Sequence, residues 1–118
     1  MKILITGGLG HIGSYLLENI NEFKFVKKIY VIDDLSTNKY NSLFNLPKTN
    51  KKIYFYQKDL ALKNALRNFA KVDIVINLAS STDAEGSLKN PREIYRNNLG
   101  IFQNILKYCK KNSSKLIH

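Results

Sequence analysis

Four glycines crowd the segment ITGGLGHIG at residues 5–13, directly after a short apolar run. Bare backbone brings N–H groups close to a bound phosphate, because no Cβ stands in the way. An acidic residue, Asp33, follows twenty positions after Gly13, at the end of the next apolar run. Strand, glycine turn, helix and then carboxylate is the order of a dinucleotide-binding motif, in which the carboxylate accepts hydrogen bonds from the ribose hydroxyls. The residues therefore predict a dinucleotide site.

The charge of Asp33 also bears on which dinucleotide is bound. A carboxylate at this position would repel a 2′-phosphate, so the sequence favours NAD over NADP. Lys39 is the residue that keeps NADP open as an alternative.

The remaining reactive side chains suggest little further chemistry. His11 and His118 lack metal-ligand spacing, and Cys109, the single cysteine, is predicted to be a small buried hydrophobe. A Tyr-x-x-x-Lys pattern joins Tyr54 to Lys58, but it falls in a predicted strand, where residues four apart lie about 13 Å from each other. We therefore predict neither a metal site nor a catalytic residue.

The elements that must position the glycine turn alternate along the chain between strand-like and helix-like spacing of their apolar residues. Short β-rich runs are predicted at 2–6, 28–33, 52–57, 73–78 and 115–118, and helical spacing at 11–23, 61–70 and 91–111. A polar loop at 34–50 holds one helical turn near 40–44. The pattern predicts an α/β fold, a Rossmann-type doubly wound parallel sheet, incomplete with about five strands in the order 3-2-1-4-5. Strand 115–118 is then an edge strand.

The apolar faces of two helices can be read from their spacing. The first helix is predicted to bury Ile12, Leu16, Ile20 and Phe23. In the last helix, Asn98 lies in the middle of a predicted buried arc, so its amide needs a structural or functional partner. The members of that arc are Ile94, Tyr95, Ile101, Phe102, Ile105, Leu106 and Cys109.

Length and charge limit the class of protein. With 118 residues the chain is predicted to be one domain, and it lacks both a secretory leader and a long apolar span, which predicts a cytoplasmic protein without a membrane partner. A formal charge of +10 raises nucleic-acid binding as an alternative. The lysines are scattered in ones and twos, however, which favours a solvated surface and no nucleic-acid partner.

Five segments together resemble a known family. ITGGLGHIG, VIDDLSTNK, KDL, NLAS and NPREIYRNNLG resemble, in order and spacing, the extended short-chain dehydrogenase/reductases, in their NAD-dependent epimerase/dehydratase branch. The resemblance makes Gly7, Gly10 and Gly13 the motif glycines, with Gly8 as an extra. It implies that NAD, the cofactor, is bound by backbone or side chains at Gly7, Gly10, His11, Ile12, Gly13, Asp33, Asp34, Leu35, Ser36, Thr37, Asn38, Asp59, Leu60, Leu78, Ala79, Ser80 and Asn98.

The resemblance also implies chemistry that this segment does not contain. The family's Ser or Thr and its Tyr-x-x-x-Lys lie beyond KLIH, so residues 1–118 are predicted to be the NAD(P)-binding Rossmann domain, the N-terminal portion of a longer enzyme, inactive alone. The whole enzyme would be a homodimer acting on a nucleotide sugar. Thr82 replaces a lysine of the 4-epimerases, while Asp83 and Glu85 are predicted to be solvated. A non-catalytic NAD(P) sensor or scaffold on the same fold is the alternative.

Overall fold

The sheet has the predicted topology. The computed structural model describes residues 1–35, 46–80 and 91–118. Within these ranges one parallel sheet has the strand order β3-β2-β1-β4-β5, with helices between strands. The elements are β1 (Lys2–Thr6), α1 (His11–Glu18), β2 (Lys28–Asp33), β3 (Lys52–Gln57), β4 (Ile74–Asn77), α2 (Pro91–Asn112) and β5 (Lys115–Ile117). This confirms the Rossmann-type fold class and places β5 at one edge of the sheet.

The pairing of the strands places the polar residues that end β1, β2 and β4 next to one another. Thr6, at the end of β1, pairs with Ile32 of β2 on one side and with Asn77 of β4 on the other. Asp33, the last residue of β2, therefore lies one position beyond the Thr6 level. Because all strands are parallel, their carboxyl ends form a single edge, which we call the carboxyl edge.

Apolar side chains alternate between the two faces of the sheet. Ile3 and Ile5 of β1 belong to a core cluster that includes Leu17 of α1. Leu4, between them in sequence, belongs to a second cluster with Ile105 of α2. Successive strand residues face opposite sides, so the two helices cover opposite faces and the sheet is doubly wound.

The predicted apolar face of the first helix was only partly right. Ile20 is buried as predicted and Leu16 is half-buried, whereas Ile12 and Phe23 are 65% and 44% exposed. Gly13 and Leu17 are also buried, because the close approach of Gly13 to the backbone of Gly8 fixes which row of α1 faces inward. The helix also ends at Glu18, before a 3₁₀ turn over Ile20–Glu22.

The predicted helix at 61–70 is wrong. The segment is a succession of turns, with i to i+3 backbone hydrogen bonds from Ala65 to Leu62 and from Arg67 to Asn64. Asn64 and Asn68 have φ angles of 59° and 60°, in the left-handed region that asparagine tolerates better than most residues. Left-handed residues cannot continue a right-handed helix, so helical spacing was misleading here. We call residues 61–70 the turn segment.

The buried arc of α2 was only partly right. Ile101, Ile105 and Cys109 are buried as predicted, but Tyr95 and Leu106 are 70% and 43% exposed. Burial raises the pKa of the Cys109 thiol, which agrees with its prediction as a buried hydrophobe. The helix begins at Pro91, as its sequence predicts. No helix in the described parts of the chain combines the length and apolar character needed to span a membrane.

Tyr108, which the sequence analysis did not single out, ties α2 to the segment before β4. Its hydroxyl donates to the carbonyl of Ala70 and accepts the N–H of Val72 at 3.1 Å. Burial is the main reason that the pKa of Tyr108 is raised to about 12. The phenol therefore stays protonated in the folded chain at pH values where an unfolded tyrosine has lost its proton.

We expect Tyr108→Phe to lower the free energy of unfolding by about 1–3 kcal/mol, because two buried backbone groups lose their partner. The stabilisation is complete below an unfolded pKa of about 10 and declines as pH rises towards the folded value, since only the unfolded chain releases the proton there. Urea unfolding at about pH 8 and about pH 11 should show a gap between the two proteins that narrows at the higher pH. Tyr15→Phe, at a position 66% exposed, is the control; equal effects of the two substitutions would contradict this role.

Candidate dinucleotide site

Three of the four glycines are required by packing inside the chain. A Cβ on Gly7 would lie 2.7 Å from the backbone carbon of Leu78, and the φ of Gly7 is +67°. A Cβ on Gly8 would lie 2.4 Å from Cγ1 of Val31, so Gly8 is more than an extra glycine. A Cβ on Gly13 would lie 2.5 Å from the Cα of Gly8. These contacts bring the first turn of α1 and the end of β4 against the glycine turn.

Gly10 is different, because the chain has room for a side chain there. The nearest atom to a Cβ on Gly10 is the carbonyl oxygen of Gly7, at 3.4 Å. Gly10 is also the N-cap of α1, in an extended conformation that any residue adopts. None of the described residues requires glycine at this position, so the space beside it is a candidate place for a ligand.

The amide groups around the turn divide into two sets. The N–H groups of Gly7, Leu9 and Gly10 are used internally, by the carbonyl of Ile32, a carboxylate oxygen and the carbonyl of Gly7 respectively. Within the described residues, the N–H groups of Ile12 and Gly13 have no hydrogen-bond partner. They lie in the first turn of α1, where unpaired N–H groups and the helix dipole favour an anion. The N–H groups suited to phosphate therefore lie in the first turn of α1, while the N–H groups of Gly7, Leu9 and Gly10 hold the shape of the glycine turn.

Asp33 organises this edge from the end of β2. One carboxylate oxygen accepts the N–H of Leu9 at 3.0 Å and the other accepts the N–H of Leu35 at 2.9 Å. An ionised carboxylate offers about four lone-pair sites. In the part of the chain that the structure describes, two of them are unused, so the carboxylate can fix the turn and bind ribose hydroxyls at once.

The carboxyl edge brings most of the predicted residues into one groove. Its floor is a cavity of about 100 Å³, much smaller than a dinucleotide, so a bound ligand would lie along the groove rather than inside it. Asp59 is exposed and accepts the N–H of Ala61, whereas Leu60 is buried. The predicted residues that line the groove are Gly7, Gly10, Asp33, Asp34, Asp59, Leu60, Leu78, Ala79 and Ser80.

Other predicted residues are placed differently. His11 and Ile12 begin α1 with exposed side chains, and the resemblance assigns their backbone to the phosphate. Leu35 and Asn98 are half-buried and do not line the groove floor. Several predictions lie outside the described residues: those on Ser36, Thr37, Asn38, Lys39, the helical turn at 40–44, Thr82, Asp83 and Glu85.

Sequence reasoning missed two buried polar residues beneath the groove. Thr6 donates to the side-chain oxygen of Asn77 at 2.6 Å, and the N–H of Ala79 reaches both of these side chains. Asn77 also shares a hydrogen bond with the ring of His118 at 3.0 Å. These bonds join the ends of β1, β4 and β5. In the sequence, Thr6 and Asn77 could have been noticed as polar residues that end two apolar strands.

The rejected Tyr-x-x-x-Lys pattern does lie in a strand. Tyr54 is in β3 and stacks on Tyr30, with ring centroids 5.4 Å apart. Lys58 follows β3, and its Nζ lies 5.6 Å from the ring centre of Phe69. The two side chains contact different partners and form no catalytic pair.

This combination of sheet order, glycine turn and carboxylate defines a dinucleotide-binding domain of Rossmann type. The chain belongs to the NAD dependent epimerase/dehydratase family, whose model matches residues 3–118.

Individual relatives come from two branches of that family. The chain is 33% identical over 122 residues to UDP-glucose 4-epimerase of Yersinia enterocolitica, covering 99% of this chain and 36% of that protein. It is 36% identical over 114 residues to dTDP-D-glucose 4,6-dehydratase of Dictyostelium discoideum, covering 92% of this chain and 26% of that protein. The chain thus spans about a third or less of the length of these relatives.

Solved structures agree with the fold. The UDP-glucose 4-epimerase of Thermus thermophilus, in complex with NAD, superposes with a TM-score of 0.73 at 30% identity, covering 98% of this chain and 36% of that one. The dTDP-glucose 4,6-dehydratase of Streptomyces venezuelae gives a TM-score of 0.78 over 100% of this chain and 38% of that one. At 19% identity, the second likeness concerns the fold alone.

Proposed function

We propose that residues 1–118 are the NAD-binding portion of a longer sugar-nucleotide epimerase or dehydratase. The observation that carries the proposal is the space beside Gly10, which the described residues leave open and which belongs to the same groove as Asp33. A pyrophosphate there would meet the open N–H groups of Ile12 and Gly13. NAD fits these residues because a phosphate, a ribose and a flat ring system need unpaired amides, a carboxylate and an extended groove in this order.

The chain's own part in the proposed reaction is to bind and orient. Bound NAD would take up and return a hydride. Asp33 would accept the ribose hydroxyls, and Ile12 and Gly13 would hold the phosphates. The chain from Leu78 to Ser80 would run beneath the nicotinamide half. None of the described residues is proposed to move the substrate proton, which is why turnover is assigned to the longer protein.

The substrate and assembly of that longer protein are part of the same proposal. Relatives named for UDP-glucose and dTDP-D-glucose support a nucleotide-sugar substrate. An uncovered apolar surface beside α1 supports further chain packing there; Ile74 and Ile76 are half-buried and Ile117 is 51% exposed. Exposed Tyr95 and Leu106 on α2 support a homodimer. A longer protein that sediments as a monomer, or that turns over no UDP- or dTDP-sugar with NAD, would contradict these assignments.

We expect Asp33→Ala to raise the NADP-to-NAD affinity ratio about tenfold, because a charged acceptor of ribose hydroxyls and a repulsive charge are lost together. Calorimetric titration of both cofactors into the full chain measures the ratio. Asp73→Ala is the matched control, since Asp73 also accepts a backbone N–H, from Lys2 at 2.8 Å. It does not line the groove. Equal affinity of the unmodified chain for NAD and NADP would overturn the role of Asp33.

A further inference from the structure

A second cavity, of about 370 Å³, lies between the turn segment and the C-terminal half of α2. Its volume is within the range of small-molecule sites. It shares no lining residue with the groove at the glycine turn. Three cationic side chains line it, Arg67 from one wall and Lys107 and Lys111 from the other, together with four asparagines. None of the described residues that line it is a carboxylate.

The Asn104 amide donates to the carbonyls of Leu60 and Leu62 at 2.7 and 2.8 Å. The Tyr108 hydroxyl bonds the backbone on either side of Lys71, at Ala70 and Val72. Because both walls are held to each other, the cavity does not need to form when a ligand arrives, which lowers the entropic cost of binding.

The three cations have no neutralising partner in the part of the chain that the structure describes. None of Arg67, Lys107 and Lys111 forms an ion pair there. Lys107 and Lys111 are four residues apart on one helix, a spacing at which like charges repel. Lys111 lies in the last turn of α2 and interacts favourably with the helix dipole. The helix dipole does not account for Arg67, which lines the cavity from the turn segment.

We propose that this cavity binds a small oligophosphate of the size of pyrophosphate. A guanidinium matches phosphate oxygens in a bidentate way, and two ammonium groups add compact positive charge. The side-chain amides of Asn64 and Asn68, which also line the cavity, can supply neutral donors for oxygens that the cations do not reach. All three cationic side chains are exposed, and they border a cavity of small-molecule size. Such a cavity favours a compact multivalent anion over a long strand, which would need an open basic stripe. The site is independent of the proposed dinucleotide site.

Inorganic pyrophosphate, titrated into the ¹⁵N-labelled full chain and followed by NMR, tests the proposal. The chain carries Gly10→Val, so that phosphate binding at the glycine turn is blocked. We expect saturable shifts centred on the amides of Arg67, Lys107 and Lys111, and weaker binding at high salt. The triple variant Arg67→Gln, Lys107→Gln, Lys111→Gln should bind at least about tenfold more weakly.

A matched triple variant removes the same charge elsewhere. Lys24→Gln, Lys52→Gln and Lys110→Gln change exposed lysines that do not line the cavity; Lys110 is on the same helix. This variant should bind pyrophosphate within about twofold of its parent. If both triple variants lost the same affinity for pyrophosphate, binding would depend on the overall charge of the chain, and the proposed site would be wrong. A single-stranded oligonucleotide that displaces pyrophosphate, with affinity that grows with its length, would overturn it in favour of nucleic acid.

Discussion

A Gly13→Ala variant is expected to lose about 3 kcal/mol or more of its free energy of unfolding, a large share of the stability of a small domain. The added Cβ would lie 2.5 Å from the Cα and the carbonyl oxygen of Gly8. Both are backbone atoms of the glycine turn, which cannot move without displacing the end of β1. The helix α1 would have to lift from the sheet, exposing Leu17 and Ile20.

Chemical denaturation of the two proteins measures this effect. Gly10→Ala is the matched control, because its Cβ would meet nothing closer than 3.4 Å. We expect Gly10→Ala to stay within about 1 kcal/mol of the unmodified chain, since alanine is a slightly poorer N-cap than glycine. Similar unfolding midpoints for Gly13→Ala and Gly10→Ala would contradict the packing that the structure shows.

The second large effect is on binding rather than on folding. Gly10→Val should weaken NAD binding by at least about a hundredfold, because its methyl groups would occupy the space assigned to the pyrophosphate and cover the open N–H groups of α1. A Cβ at this position would meet no described atom closer than 3.4 Å, so circular dichroism should be unchanged. Tyr15→Val alters an exposed residue of the same helix and should keep its NAD affinity. An affinity of Gly10→Val within twofold of the unmodified chain would mean that phosphate does not bind beside Gly10.

Sheet topology was predictable because its signals are local and repeated. Short apolar runs such as Ile74–Asn77 and the glycine turn identify parallel strands and a crossover, and the strand order follows from that pattern. The turn segment was not predictable from periodicity. Its apolar residues recur at helical spacing, but Asn64 and Asn68 adopt left-handed conformations that a right-handed helix cannot contain.

Helix faces were predicted less well than helix positions. On α1, the row that faces the sheet is set by the contact of Gly13 with Gly8, a contact between residues that carry no apolar signal. On α2, Tyr108 turns inward because its hydroxyl finds two backbone partners. A hydropathy pattern cannot predict this, because it does not show which backbone carbonyl and N–H groups near the tyrosine lack a partner.

Nine of the predicted site residues line one groove, and their role in binding stays a prediction. The sequence did not show what several of them do for the fold itself. The sequence indicates that glycines make room for phosphate, yet Gly7, Gly8 and Gly13 make room for the chain itself. Asp33 was expected to meet a ribose, and it also holds the N–H of Leu9. Tertiary contacts show that these residues also hold the fold, and the spacing of the motif does not show those contacts.

An NMR titration of NAD into the ¹⁵N-labelled chain tests the central claim most directly. Saturable shifts should be largest at the amides of Ile12, Gly13, Asp33 and Ala79, along the carboxyl edge, and should disappear in Gly10→Val. Absence of saturable shifts at these amides, or shifts that persist unchanged in Gly10→Val, would contradict a dinucleotide site at the glycine turn.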